Sequence, residues 1–267
     1  MRRALELVAV PWRGARRAGL VWGVSLAALI ALTVAFWPAF RDEPELSNLV
    51  AGMPQPLVAA FGLTDFGTPA GFLSGNLYAV LVPLMLAIAG VLLMNGQTAS
   101  DEDAGRMEGY LAQPVRRGSL FVGRAVGVAL WLVVIFAFML AAQLIADSVV
   151  GLSIGLDRVL ATLVLCVLLG AFHAGLAALI AGWTGRPGVV LGVGMAIAVL
   201  GYVAIALFPI SDVLEPWRHV SPWDWALGGD PLTGPTEAWR YLALGAPAVG
   251  LVGLGTWLFG RRDIQAA

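Results

Sequence analysis

Few side chains in this sequence are equipped for chemistry, and their spacing limits what they can do. Two histidines occur, His173 and His219. Neither has a second histidine four residues on, so the helical zinc-protease pattern is missing. His219 is followed by Asp224 and Asp230, but one imidazole with two loop carboxylates is a common chance grouping. No Gly-x-Ser-x-Gly turn raises a nucleophilic serine. The one cysteine, Cys166, lies inside an apolar run and has no partner for an intrachain disulfide. It reads as a small apolar residue. All 16 basic residues are arginine. Without lysine the phosphate-binding Gly-x-x-x-x-Gly-Lys-Ser/Thr loop cannot occur, so any ATP hydrolysis must come from another chain.

Two kinds of polar position remain. The first is the isolated polar group in an apolar run, chiefly His173 and Gln143. A polar group in hydrocarbon needs a partner, so these are interhelical hydrogen-bonding residues or points on a substrate path. The second is the stretch from Asn95 to Arg124, NGQTASDEDAGRMEGYLAQPVRRGSLFVGR. It holds the acids Asp101, Glu102, Asp103 and Glu108 and the arginines Arg106, Arg116, Arg117 and Arg124. The leading acids suit the positive end of a short helix, which Gly109 weakens and Pro114 ends. Met107, Tyr110 and Leu111 share one face, with Arg106 and Glu108 beside them. An exposed face of that kind suits a groove on a partner protein. The same composition also describes an ordinary solvated loop between two spans.

The elements that position these residues follow from composition. The chain has 267 residues, 59% of them hydrophobic and only 12% charged. Soluble domains carry about 25% charged residues. This is an all-α integral membrane protein, and its apolar surplus faces lipid. Net charge is −1, which offers nothing to nucleic acid. Six apolar segments are long enough to span, at about 18–38, 76–94, 120–146, 156–183, 189–208 and 238–259. The first is too long for a signal-peptide core of about 7–15 residues, so it is read as a retained span. Residues 1–17 place Leu5, Val8, Ala9 and Trp12 on one face and suggest an interfacial helix. Segments 39–75 and 210–237 are extracytoplasmic connections, the first with apolar residues at helical spacing that suggest a short amphipathic helix or helical pair on the membrane surface, and 95–119 is the central polar loop. The whole chain reads as one transmembrane domain. With six spans both termini lie on one side. Twelve arginines fall with the termini and with the loops after spans two and four, against four on the other side. The positive-inside rule therefore makes the termini cytoplasmic.

The polar loop resembles the loop of ABC-2 type permeases, roughly Glu-x-x-Gly-Thr-Leu-Glu-x-Leu-Leu-x-x-Pro-Val-x-Arg with a later basic residue. Glu102, Gly105, Glu108, Leu111, Pro114, Val115, Arg117 and Arg124 match. Arg106 and Met107 stand where Thr-Leu is usual, and Gly109 is an added glycine. The run Ser221-Pro222-Trp223 with Gly229-Asp230-Pro231-Leu232, and the ending from Phe259 to Ile264, are similar to the same exporters. The resemblance implies an exporter permease of the bacterial cytoplasmic membrane. Two copies, identical or paralogous, would pair with two ATPase subunits that hold ATP and Mg; this chain would bind no cofactor or metal. Glu102, Gly105, Met107, Glu108, Tyr110, Leu111, Pro114, Arg117 and Arg124 would form the contact with the ATPase. Trp12 and Arg186 would be secondary cytoplasmic contacts. The sparse polar interior suggests a hydrophobic or amphiphilic cargo moved outward. Two other classes fit the bare composition, an ion- or proton-coupled carrier and a non-transporting membrane immunity protein. The scarcity of buried charge disfavours the carrier.

Overall fold

A backbone in hydrocarbon must satisfy its own hydrogen bonds, so apolar runs of this length become helices. The computed structural model describes residues 8, 9, 11–41, 52–54, 67–111 and 115–262. Its helices are α1 (Arg16–Arg41), α2 (Pro69–Leu73), α3 (Leu81–Gln97), α4 (Ala99–Asp103), α5 (Arg106–Leu111), α6 (Arg117–Val150), α7 (Leu156–Thr184), α8 (Pro187–Leu207), α9 (Pro222–Leu227) and α10 (Trp239–Arg261). Among the described residues six stretches are long and apolar enough to cross a membrane: Arg16–Arg41, Pro69–Asp103, Arg117–Val150, Leu156–Thr184, Pro187–Ile210 and Trp239–Arg261. The chain is a multi-pass, all-helical membrane protein.

The segment expected at 39–75 lies largely outside the described residues, and of 1–17 residues 8, 9 and 11–17 are described. Within 39–75 the described residues 39–41 and 69–75 are helical. Thr68 caps α2 by accepting from the Gly71 amide at 3.1 Å, and Pro69 follows at the first helical position. The second span thus begins seven residues before the sequence suggested. Its expected kink at Pro83 is more elaborate than a bend. Residues Ser74–Tyr78 form a π turn, closed by the Ala79 amide on the Ser74 carbonyl at 2.7 Å. Pro83 has no amide to give the Ala79 carbonyl, and the helix restarts at Leu81.

Helix α7 is the centre of the bundle and packs against α10, α3, α6 and α8, while α1 lies along α6. Glycine permits the closest of these approaches. A Cβ on Gly182 would collide with the Gly255 carbonyl of α10, and one on Gly90 with the Gly170 carbonyl of α7. Small residues at a membrane helix seam let backbones pack in dispersion contact where no hydrophobic drive exists. The outward faces carry Val21, Leu32 and Phe36 of α1, Val133 and Ile145 of α6, Leu200 of α8 and Leu242 and Val249 of α10, all exposed. That is the lipid-facing surface the composition called for.

Candidate coupling site

The polar loop folds into two short helices under the end of α3. Thr98 turns its hydroxyl back onto the Met94 carbonyl at 2.6 Å, and the Asn95 amide donates to Ser100 Oγ at 3.0 Å. Helix α4 then presents its acids, and Gly105, with φ +70°, reverses the chain into α5. A left-handed φ at this position explains the glycine.

Arg124 of α6 enters this turn almost fully buried, with its side chain 2% exposed. Its Nη1 lies 2.6 Å from Asp101 Oδ2 and also donates to the Gln97 carbonyl. Its guanidinium sits 5.1 Å from the centroid of the Tyr110 ring. The other Asp101 oxygen takes Arg106 Nε at 2.8 Å. One carboxylate therefore joins α4, α5 and α6. A buried guanidinium with a paired carboxylate and a backbone acceptor is a fixed joint, because separating its parts would leave an uncompensated charge.

A second joint reaches across the chain. Arg262, just beyond α10, places Nη2 2.5 Å from Glu102 Oε2. Its guanidinium fills the space over Gly185, the left-handed residue (φ +61°) that ends α7, where a side chain would be strained and would displace the guanidinium. Its carbonyl accepts from Arg117 Nη1 at 3.1 Å. Arg262 thus ties α4 to the α7–α8 turn, to the start of α6 and to α10.

The sequence-stated residues fall into two groups here. Glu102, Gly105, Tyr110, Arg117 and Arg124 come together in this cluster. Met107 does too, but it is buried against the chain's own core rather than exposed for a partner. The backbones of Glu108 and Leu111 belong to α5; Pro114 lies outside the described residues, as do the side chains of Glu108 and Leu111. Trp12 stacks on Trp131 of α6, with ring centroids 4.2 Å apart, and its carbonyl accepts from Trp131 Nε1 at 2.9 Å. Its ring serves the packing of the bundle. Arg186 is exposed on the α7–α8 turn. His173 and Gln143 are both fully buried but are not hydrogen-bonded to each other. His173 Nδ1–H donates to the Leu169 carbonyl at 2.9 Å, and Gln143 Oε1 accepts from the Tyr78 hydroxyl at 2.9 Å. Asp101 was read only as one of the acids at a helix start, and Arg262 was not singled out from the sequence. Asp101 could have been, since an acid two residues from a turn faces Arg106 on the next helix. Nothing local points from Glu102 to a residue 160 positions away.

Residues 6–260 match the family described as multidrug efflux system permease Rv1217c, C-terminal domain. No curated protein matches the sequence.

Proposed function

We propose, starting from a chain that belongs to the family of the multidrug efflux permease Rv1217c, that this protein is the membrane-spanning half of an ATP-driven exporter. It is a transport subunit rather than an enzyme. A separate ATPase, with its own ATP and Mg, would supply the work, and α4 and α5 would form the surface on which that ATPase sits. Two permease copies with two ATPases are the expected assembly, in a bacterial cytoplasmic membrane with both termini on the ATPase side. The arginine distribution supports that orientation.

The observation that carries this reading is the double joint at Asp101–Arg124 and Glu102–Arg262. A solvated connecting loop has no need of buried ion pairs to two different spans. A surface that must pass a push into the bundle does. Closure of the ATPases would tilt α6 and the α7–α10 pair as rigid bodies. The outer half of the groove between α1 and α6, lined by Ala27, Ala31, Phe138 and Ile145, is almost wholly apolar. This supports a hydrophobic or amphiphilic cargo.

Purifying the tagged chain from its native membranes tests the proposal. Recovery of a P-loop ATPase in stoichiometric amount is the expected result. Recovery of the chain alone across several mild detergents would overturn it.

A further inference from the structure

At the end of the bundle opposite the coupling cluster, α9 and the turn after it roof a cavity of about 360 Å³. That volume lies in the range of small-molecule sites. The π turn supplies one wall with Ser74 and Tyr78, and α8 supplies another with Tyr202. The roof contributes Asp224, Asp230 and Arg218.

The charges do not cancel. Arg218 is shared between Glu215 at 3.4 Å and Asp224 at 3.9 Å, and Asp224 also takes His219 Nδ1 at 2.9 Å. Among the described residues the Asp230 carboxylate receives only the Ser74 hydroxyl, at 2.8 Å. Among the described residues it forms no ion pair. It also holds a left-handed backbone, φ +40°, which sets its carboxylate on the cavity. The result is an aromatic-walled chamber with one unneutralised carboxylate. An anion would meet Asp224 and Asp230. A metal ion would need a ligand cluster that the described residues lack. An organic cation finds a counter-charge and two tyrosine rings. The π turn has the further effect of aiming Tyr78 between this chamber and Gln143, and such turns gather at functional sites.

We propose that this cavity binds an organic ammonium group, with Asp230 as the counter-charge and Tyr78 and Tyr202 as the wall. The site lies within one chain and far from the coupling cluster, so it does not depend on how ATP is used. The ammonium could belong to a soluble cationic compound or to a lipid headgroup.

Choline and its neutral isostere 3,3-dimethylbutan-1-ol separate charge recognition from shape. Titrated calorimetrically into the purified full chain in detergent, choline should bind at least about tenfold more tightly, given one carboxylate at contact distance in a partly screened site. Asp230→Asn keeps the acceptor for Ser74 and tolerates the left-handed backbone. It should abolish the preference and leave the alcohol unchanged. Tyr202→Leu should weaken choline about threefold as a second, uncharged probe of the wall. Equal affinity for the two probes in the parent chain would overturn the proposal, and that comparison needs no variant. An unchanged preference in a folded Asp230→Asn variant would overturn it as well. Repeating the titration in nanodiscs assigns the occupant. Weaker choline binding in phosphatidylcholine than in phosphatidylglycerol, lost in Asp230→Asn, identifies a headgroup. Equal binding in the two lipids identifies a soluble cation.

Discussion

Breaking the contact between Arg262 and Glu102 should separate ATP hydrolysis from transport. The pair is 2.5 Å long, with side-chain exposures of 19% and 7%. Removing one partner of a fully buried pair costs about 3–5 kcal/mol, whereas an exposed pair is worth at most about 1 kcal/mol. Arg262 is open along one side, so about 2 kcal/mol is the working figure, or roughly 30-fold in an equilibrium constant. If the contact holds in only one of the two transport states, that factor shifts the balance between them. The assay is transport per ATP hydrolysed, measured in proteoliposomes containing the chain and its ATPase. Arg262→Ala and Glu102→Ala should each lower that ratio by 10-fold or more while hydrolysis continues, up to the roughly 30-fold limit. The exchange of Glu102→Arg with Arg262→Glu should restore most of it. A purely structural pair would reduce assembly and leave the ratio intact. Singles that keep the parent ratio, or an exchange as impaired as the singles, would refute the clamp.

The other joint has an internal control. Asp101→Ala strands the buried Arg124 guanidinium and should cost about 3 kcal/mol, read as a large loss of thermal stability in detergent, while Arg106→Ala, at 58% exposure, should cost under about 1 kcal/mol. Gly182→Val forces a side chain into the Gly255 carbonyl; because backbone cannot yield, the penalty should reach about 3 kcal/mol, and Gly188→Val, where no atom lies within 4 Å, should melt like the parent. Arg240→Ala removes the donor to the Asp224 and Trp225 carbonyls, and should lower choline affinity by loosening the cavity roof without changing ATPase recovery in pull-downs. For orientation, a cysteine at Asp103 should react with an impermeant maleimide only in opened cells, and one at Gly228 in intact cells; the opposite pattern would invert the topology.

The spans were legible because their physics is local. A run of apolar residues about 20 long has one solution in lipid, and five of the six spanning stretches begin and end within a few residues of the apolar limits. The second span departs because Thr68 and Pro69 form a start signal inside a segment that reads as polar. The candidate coupling site was legible only in part. Periodicity places Met107, Tyr110 and Leu111 on one face, but it does not say which neighbour that face meets. Met107 turns inward because α4 and α5 fold back under α3, a reversal set by the φ of Gly105. The partner of Glu102 was illegible, since 16 arginines compete for it in one dimension.

Helix α10 gives that distant contact its meaning. An arginine stands in its first turn and another just past its last: Arg240 bonds the roof of the cavity through the Asp224 carbonyl at 2.7 Å, and Arg262 bonds Glu102 in the candidate coupling cluster. Its 23 residues span about 35 Å. Along that length it lies on α7 with backbone against backbone at Gly182–Gly255 and Gly175–Ala248. A seam without intervening side chains has little slack, because a closely packed interface moves between discrete arrangements rather than deforming smoothly. A displacement at Glu102 would reach the roof through this pair of helices. The two sites do not touch, yet the same strut holds both.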